Sequence, residues 1–217
     1  MFRYLPKILF FALLIKPLVF LIMGLHAHNR QHLPQRGPAI LAANHNSHLD
    51  TMVLMSLFPL KDLIRVRPVA AADYFLRNPV MAWFSTQVIG IIPLQRDGRS
   101  KREELFAGCH EALSNGDILI LFPEGSRGEP EQMSRLKKGI YYLASEHERC
   151  EVIPIFMHGL GKSLPRGEAL LVPFVCELAI GEGIRGCDSA EQMLSQLSSA
   201  YCRLKALCHP PLDDDDE

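Results

Sequence analysis

From Ile8 to Leu25 the chain is apolar except for Lys16, with Pro17 and Gly24 as helix-disturbing residues. One straight helix over those eighteen positions would reach about 27 Å, barely the thickness of a hydrocarbon core. Pro17 removes a backbone donor and favours a break, which leaves two helices too short to span. The pattern predicts two short helices dipping into one leaflet, with the Lys16 amine extended toward the headgroups. A single span and a signal peptide are the other readings. Against the signal peptide, no A-x-A cleavage site follows Leu25 and Lys16-Pro17 interrupts the run.

Beyond the turn cluster Pro34-Gln35-Arg36-Gly37-Pro38, short apolar runs alternate with amphipathic ones. Ala39 to Ala43 has the pattern of a buried strand, His45 to Asp50 is a polar loop, and Thr51 to Phe58 reads as a helix with Asp50 near its start. Val66 to Ala71 predicts a strand, and Val88 to Leu94 another with an irregular end at Gly90 and Pro93. Ser100 to Asn115 is the clearest helix: Ser100 and Glu103 form a capping box, Leu105, Cys109, Ala112 and Leu113 share a face, and Gly116 stops it. Ile118 to Phe122 follows as a strand, Leu136 to His147 as a helix, and Val152 to Phe156 and Leu170 to Leu178 as strands. Asp188 and Glu191 cap a last helix that turns Met193, Leu194, Leu197, Tyr201 and Leu204 inward. Such alternation indicates an α/β domain, a mixed and largely parallel sheet flanked by helices, with an N-terminal membrane-associating helical segment added. The expected division is an anchor over residues 1–33, one catalytic domain over 34–210 and an acidic tail over 211–217.

Charge sharpens the picture of the N-terminus. Arg3, Lys7, Lys16, Arg30 and Arg36 precede the first acid, Asp50, and the last five residues are all acidic. A basic, apolar start suits an anionic bilayer surface, while a solvated tail is the plain reading of the end. The net charge of −1 argues against nucleic acid as a partner. Six cysteines without a CxxC pair read as reduced thiols, mostly in the core. His26, His28 and His32 read as solvated interfacial side chains rather than a metal cluster.

Asn44-His45-Asn46-Ser47-His48-Leu49-Asp50 sets polar residues between two apolar stretches, directly after a strand, where α/β proteins place ligands. Histidine is the natural general base near neutral pH, and a carboxylate five residues on can turn back to accept from its Nδ1–H. Three other readings stand beside this one. Asp50 is a helix N-cap, or His45, His48 and Asp50 ligate a metal, or Ser47 is a nucleophile, although G-x-S-x-G is absent. Phe122-Pro123-Glu124-Gly125-Ser126-Arg127 also follows a strand, and Arg96 follows a third. Strand ends carrying His/Asp, Arg and Glu/Arg suggest one site for an anionic substrate.

Taken jointly, these blocks resemble the glycerolipid acyltransferase family that includes 1-acylglycerol-3-phosphate acyltransferases, over roughly residues 35–160. His45 to Asp50 matches its H-x4-D block, and Ile91-Pro93-Leu94-Gln95-Arg96 looks like the second block, whose arginine helps bind the acceptor. Phe122 to Arg127 is similar to F-P-E-G-T-R with Ser126 for threonine. Lys137-Lys138-Gly139 resembles the downstream Lys-Gly element and Val152-Ile153-Pro154-Ile155 the apolar fourth block. The resemblance implies transfer of an acyl group from acyl-CoA or acyl-ACP to a lysophospholipid at the cytoplasmic face of the inner membrane. It implies His45 and Asp50 as catalytic base and orienting acid, and Arg96, Glu124, Gly125, Ser126 and Arg127 around the acceptor. Neither a metal nor a bound cofactor is implied. Many members carry a lysine where the strand from Val66 ends. Here Ala70-Ala71-Ala72-Asp73 stands there, which leaves the oxyanion stabiliser unassigned.

Overall fold

A computed structural model describes residues 4–47, 49–95, 102–125, 134–159 and 176–208. His48, Arg96, Ser100, Ser126, Arg127 and the acidic tail lie outside them, as does most of the strand expected over Leu170 to Leu178. Seven strands form one sheet: β1 (His26–His28), β2 (Ala39–Ala43), β3 (Val66–Ala71), β4 (Ile92–Leu94), β5 (Ile118–Leu121), β6 (Glu151–His158) and β7 (Glu177–Ile180). Their order is β1-β7-β6-β2-β5-β3-β4. Every pairing is parallel except β6 with β7. The mixed, largely parallel sheet expected from the alternation is therefore present. β2 occupies the middle with all five residues buried, which is why it reads as an unbroken apolar run.

The helices divide between two faces. Leu41, Val66, Ile120 and Ile155 point toward α2 (Asp50–Ser56) and the N-terminal segment. Ile40, Leu119, Val152 and Phe156 point the other way. There they meet α5 (Arg102–Ser114), α6 (Gly139–Ser145) and α7 (Ala190–Cys208). Between β3 and β4 the chain forms α3 (Ala72–Phe75) and α4 (Pro79–Trp83), then a π-helical turn over Phe84–Ile89. A strand was expected from Val88, but Val88 and Ile89 are buried on that turn. Only at Gly90, with φ +80°, does the chain turn into β4. The cap of α7 also sits beside the expected pair: Ser189 Oγ accepts from Gln192 N, whose side chain returns to Asp188 N.

At the N-terminus, α1 (Leu5–Phe10) runs into π-helical turns over Phe11–Ile15 and Leu18–Ile22. The break expected at Pro17 is absent: residues 5–22 stay helical. Lys16 N bonds Phe11 O, five residues back, and this wider turn shifts the carbonyls that a proline ring would otherwise strike. Phe11, Ile15, Val19 and Met23, four residues apart, are buried against the sheet's helical layer. Lys16 does not reach outward. Its Nζ donates to Ser56 O at 2.7 Å and Phe58 O at 2.8 Å, and Arg30 Nη2 donates to Leu57 O at 2.8 Å. Two cations thus close the carbonyl end of α2, where the helix dipole favours positive charge. Among the described residues no helix is long and apolar enough to cross a membrane. The nearby histidines are more tied than expected, with His26 and His28 in β1 and His28 Nε2 3.7 Å from Glu177.

All six cysteines are free, and Cys109, Cys150, Cys176 and Cys208 are buried. Burial pushes the thiols of Cys109, Cys150 and Cys208 up to about 12, so they act as small apolar groups.

Candidate active site

β2 and β5 are neighbours running in parallel, so both polar loops emerge at the same edge of the sheet. This register alone brings His45 to Glu124. Just past β2, Asn44 continues the ladder to β6 with its side chain. Its Nδ2 donates to Met157 O at 2.9 Å, and its Oδ1 accepts from Met157 N at 2.7 Å. Asn46 Nδ2 donates to the same carbonyl at 2.9 Å. The two asparagines pin the loop on both sides of His45, a role not evident from the sequence, where they were only polar loop residues.

Asp50 stands in the first turn of α2, fully buried. It does not cap that helix: Leu49 is at the N-cap and no side-chain cap bond forms there. Instead Asp50 Oδ2 accepts from Asn46 N at 2.7 Å, Ser47 N at 2.8 Å and His45 Nδ1 at 2.9 Å. Three donors on Oδ2 offset the burial of the carboxylate and fix its direction, while Oδ1 is buried without a hydrogen-bond partner. The bond to an anion assigns the proton to Nδ1 of His45 and leaves the Nε2 lone pair for a substrate. The imidazole stacks on Phe122 with centroids 4.0 Å apart and planes 18° from parallel, and its side chain keeps 19% exposure. Phe122 is a second positioning residue that sequence reasoning named only as part of a motif. Ser47 is buried and its hydroxyl accepts from Leu49 N, which ties it into the turn. Among the described residues no group of three or more His, Cys, Asp or Glu is arranged to hold a metal.

Glu124, 3% exposed, joins the two loops. Its Oε1 accepts from His45 N at 3.0 Å and its Oε2 from Ser134 N at 2.9 Å. Both oxygens are thus engaged with backbone, one on the His45 loop and one on the returning chain. Gly125 follows with φ +77°, and a Cβ there would lie 2.5 Å from Lys137 Nζ. The Lys137 stem lies across this glycine and would have to move aside for a side chain at 125, while the positive φ strains any residue but glycine there. Lys138 instead pairs with Glu191 of α7. Behind the site, Tyr201 Oη donates to Ala42 O at 3.0 Å, which ties α7 to β2 two residues before the loop.

The α/β sheet thus presents a histidine–aspartate pair and a glutamate-pinned loop at one strand edge. The Acyltransferase family matches residues 24–158, more than half of the chain, and the chain belongs to that family. A chloroplastic 1-acyl-sn-glycerol-3-phosphate acyltransferase of Arabidopsis thaliana is 29% identical over 130 residues, 60% of this chain and 34% of the relative. One of Brassica napus is 27% identical over 166 residues, 73% and 46% of the two chains. A lyso-ornithine lipid O-acyltransferase of Rhizobium meliloti is 26% identical over 132 residues, 58% and 40% respectively. The chain therefore spans about a third to a half of the length of these relatives. The crystal structure of the 1-acyl-sn-glycerophosphate acyltransferase PlsC from Thermotoga maritima superposes with a TM-score of 0.66. It covers 85% of this chain and 72% of that one at 20% identity, which establishes the common fold.

Proposed function

We propose that the protein transfers a fatty acyl group from an acyl thioester, acyl-CoA or acyl-ACP, to a hydroxyl of a lysophospholipid. The acceptor we assign is 1-acylglycerol 3-phosphate, with phosphatidate as product. The observation that carries the reading is the 2.9 Å contact of His45 Nδ1 with buried Asp50, beside the Glu124 loop. His45 Nε2 takes the acceptor hydroxyl proton as that oxygen attacks the thioester carbonyl. The new C–O bond forms, the tetrahedral intermediate collapses by breaking C–S, and His45 returns its proton to the thiolate. Asp50 holds the ring and stabilises the imidazolium between those steps. Arg96 and Arg127 hold the acceptor phosphate, and Glu124, Gly125 and Ser126 shape the loop that presents it. The acid-free N-terminal helix keeps the site at an anionic membrane surface, at the cytoplasmic face of the inner membrane.

The test is thin-layer analysis of products from purified protein, labelled acyl-CoA or acyl-ACP, and a panel of acceptors. Label in phosphatidate is the expected result. The rhizobial relative gives one specific alternative, acylation of a lyso-aminolipid, and label in that product with none in phosphatidate would replace our acceptor. Label in free fatty acid alone would overturn transfer itself. With the phosphate-bearing acceptor, Arg127→Lys and Arg96→Lys raise acceptor KM and leave donor KM nearly unchanged. A lysine cannot reproduce two parallel hydrogen bonds to phosphate, and the loss in kcat/KM should be about ten- to 150-fold.

A further inference from the structure

α4 has no place in the chemistry above, yet its side chains are displayed in an unusual way. Asn78 Oδ1 accepts from Met81 N at 2.8 Å and Pro79 occupies the first turn, so a helix is started deliberately after β3. That helix turns Val80 and Trp83, three residues apart, outward with exposures of 77% and 56%. Its other side continues into Phe84, whose ring meets Phe10 of the N-terminal helix edge-to-face at 5.3 Å. Flanking Phe10, the N-terminal helix exposes Leu9 at 47% and Leu13 at 74%. Both segments pack on the same face of the sheet, since Phe11 and Ile89 belong to one buried cluster and the partly buried Phe10 and Phe84 pack against it.

Charge separates the possible occupants of this face. No Asp or Glu lies between residues 4 and 49, nor between 74 and 95, and Arg77 is the only charged residue of the second run. With Arg77 exposed beside it and no acid in either run, this apolar face complements an anionic lipid surface, while Lys7 and Lys16 are turned inward and take no part in it. Tryptophan suits the boundary of such a surface, with an apolar ring and one N–H for the headgroup region.

We infer that Val80 and Trp83 form a second lipid-docking element, which enters the same leaflet as the exposed face of the N-terminal helix. The axis of the N-terminal helix and a contact off that axis together define a plane. Because α3 and α4 leave β3 at the sheet edge that carries His45, the pair sets the tilt of the site over the membrane. The inference rests on the membrane reading above, and the experiment separates the two.

Trp83 is the single tryptophan of the chain, so its emission reports this position alone. The full-length protein is titrated with phosphatidylglycerol–phosphatidylcholine vesicles while sedimentation records binding. The expected result is binding with a blue shift of Trp83 emission and quenching by lipids brominated in the acyl chains. Val80→Asp should weaken partitioning roughly tenfold or more while turnover of a short-chain, monomeric acceptor is unchanged. Sedimentation of the protein with vesicles while Trp83 emission stays fixed and unquenched overturns the second element and leaves the N-terminal one standing. Absence of vesicle binding overturns both. A blue shift that grows with protein concentration without lipid assigns the face to a second copy, and likewise overturns the inference.

Discussion

Asp50 and Lys7 are both buried charged residues, 0% and 2% exposed, and they are treated in opposite ways. Three N–H groups converge on one oxygen of Asp50, so the carboxylate is held in a single direction. Lys7 is given one carbonyl, Val66 O at 3.0 Å, and Arg67 as a neighbour. Burial above all, and the Arg67 charge after it, bring the Lys7 amine down from an ordinary 10.5 to about 7. Asp117, 3.7 Å from Arg67, opposes this only partly. A buried charge with three donors aimed at one oxygen can orient a neighbouring ring; one supplied with a single acceptor serves as an anchor that weakens the fold when protonated.

The sharpest way to break this comparison is at the catalytic pair. His45→Ala should lower turnover about 10²- to 10⁴-fold with an unchanged melting curve. Asp50→Asn should affect kcat more than acceptor binding, because an amide cannot accept from all three donors in the same way. Near-normal kcat in a folded His45→Ala protein would remove the mechanism. Glu124→Gln comes next. It points an NH2 group at either His45 N or Ser134 N, and a buried donor left unpaired costs about 1–3 kcal/mol. The urea midpoint and kcat should fall together, and an unaffected kcat would show that the 124 contact does not hold the catalytic loop.

Lys16→Met tests whether a partly exposed cation behaves more like Asp50 or like Lys7. Desolvation by burial, and then Arg30, lower its pKa, yet two carbonyls at the end of α2 depend on it. The loss should be about 1 kcal/mol in urea unfolding, partly restored by Lys16→Arg. No change in stability would mean that Arg30 alone closes the helix end.

The last test reads a slope with pH rather than a single loss. In the folded chain Lys7 loses its proton near 7, whereas the unfolded chain keeps it to about 10.5. Between those values the unfolded state binds more protons, so this residue's contribution to stability rises with pH. Compared at pH 7 and at about pH 9.5, the stability of Lys7→Met relative to the natural protein should decline as pH rises. A constant difference would mean that Lys7 remains charged in the fold.

Local pattern was a good guide wherever one neighbour sufficed to specify an element. β2 and β3 begin and end at the expected residues, since Ala39 to Ala43 and Val66 to Ala71 are runs between clear turns. Gly116, with φ +74°, follows α5 where the helix was expected to stop. Pattern was a poor guide at Val88 to Leu94, because an apolar run describes a buried helical turn as well as a strand. It also missed β1, whose three residues become a strand only by pairing with β7, about 150 positions away.

The same boundary runs through the site. His45, Asp50, Glu124 and Gly125 were legible as motif residues in order and spacing, and the fold brings His45, Asp50 and Glu124 together. Asn44, Asn46 and Phe122 were not, since their importance lies in what they touch: Met157 on β6 and the ring of His45. Lys16 shows the point most clearly. In a one-dimensional pattern a lysine inside an apolar run has only headgroups to reach. In the folded chain the carbonyl end of α2 lies beside it, 40 and 42 positions along the sequence, and a desolvated amine binds the nearest unpaired acceptors. Residue chemistry and periodicity, which are local, determined most of the strands, the motif blocks and the family. Which unpaired donor met which unpaired acceptor was settled only by packing, since that depends on distances no spacing along the chain encodes.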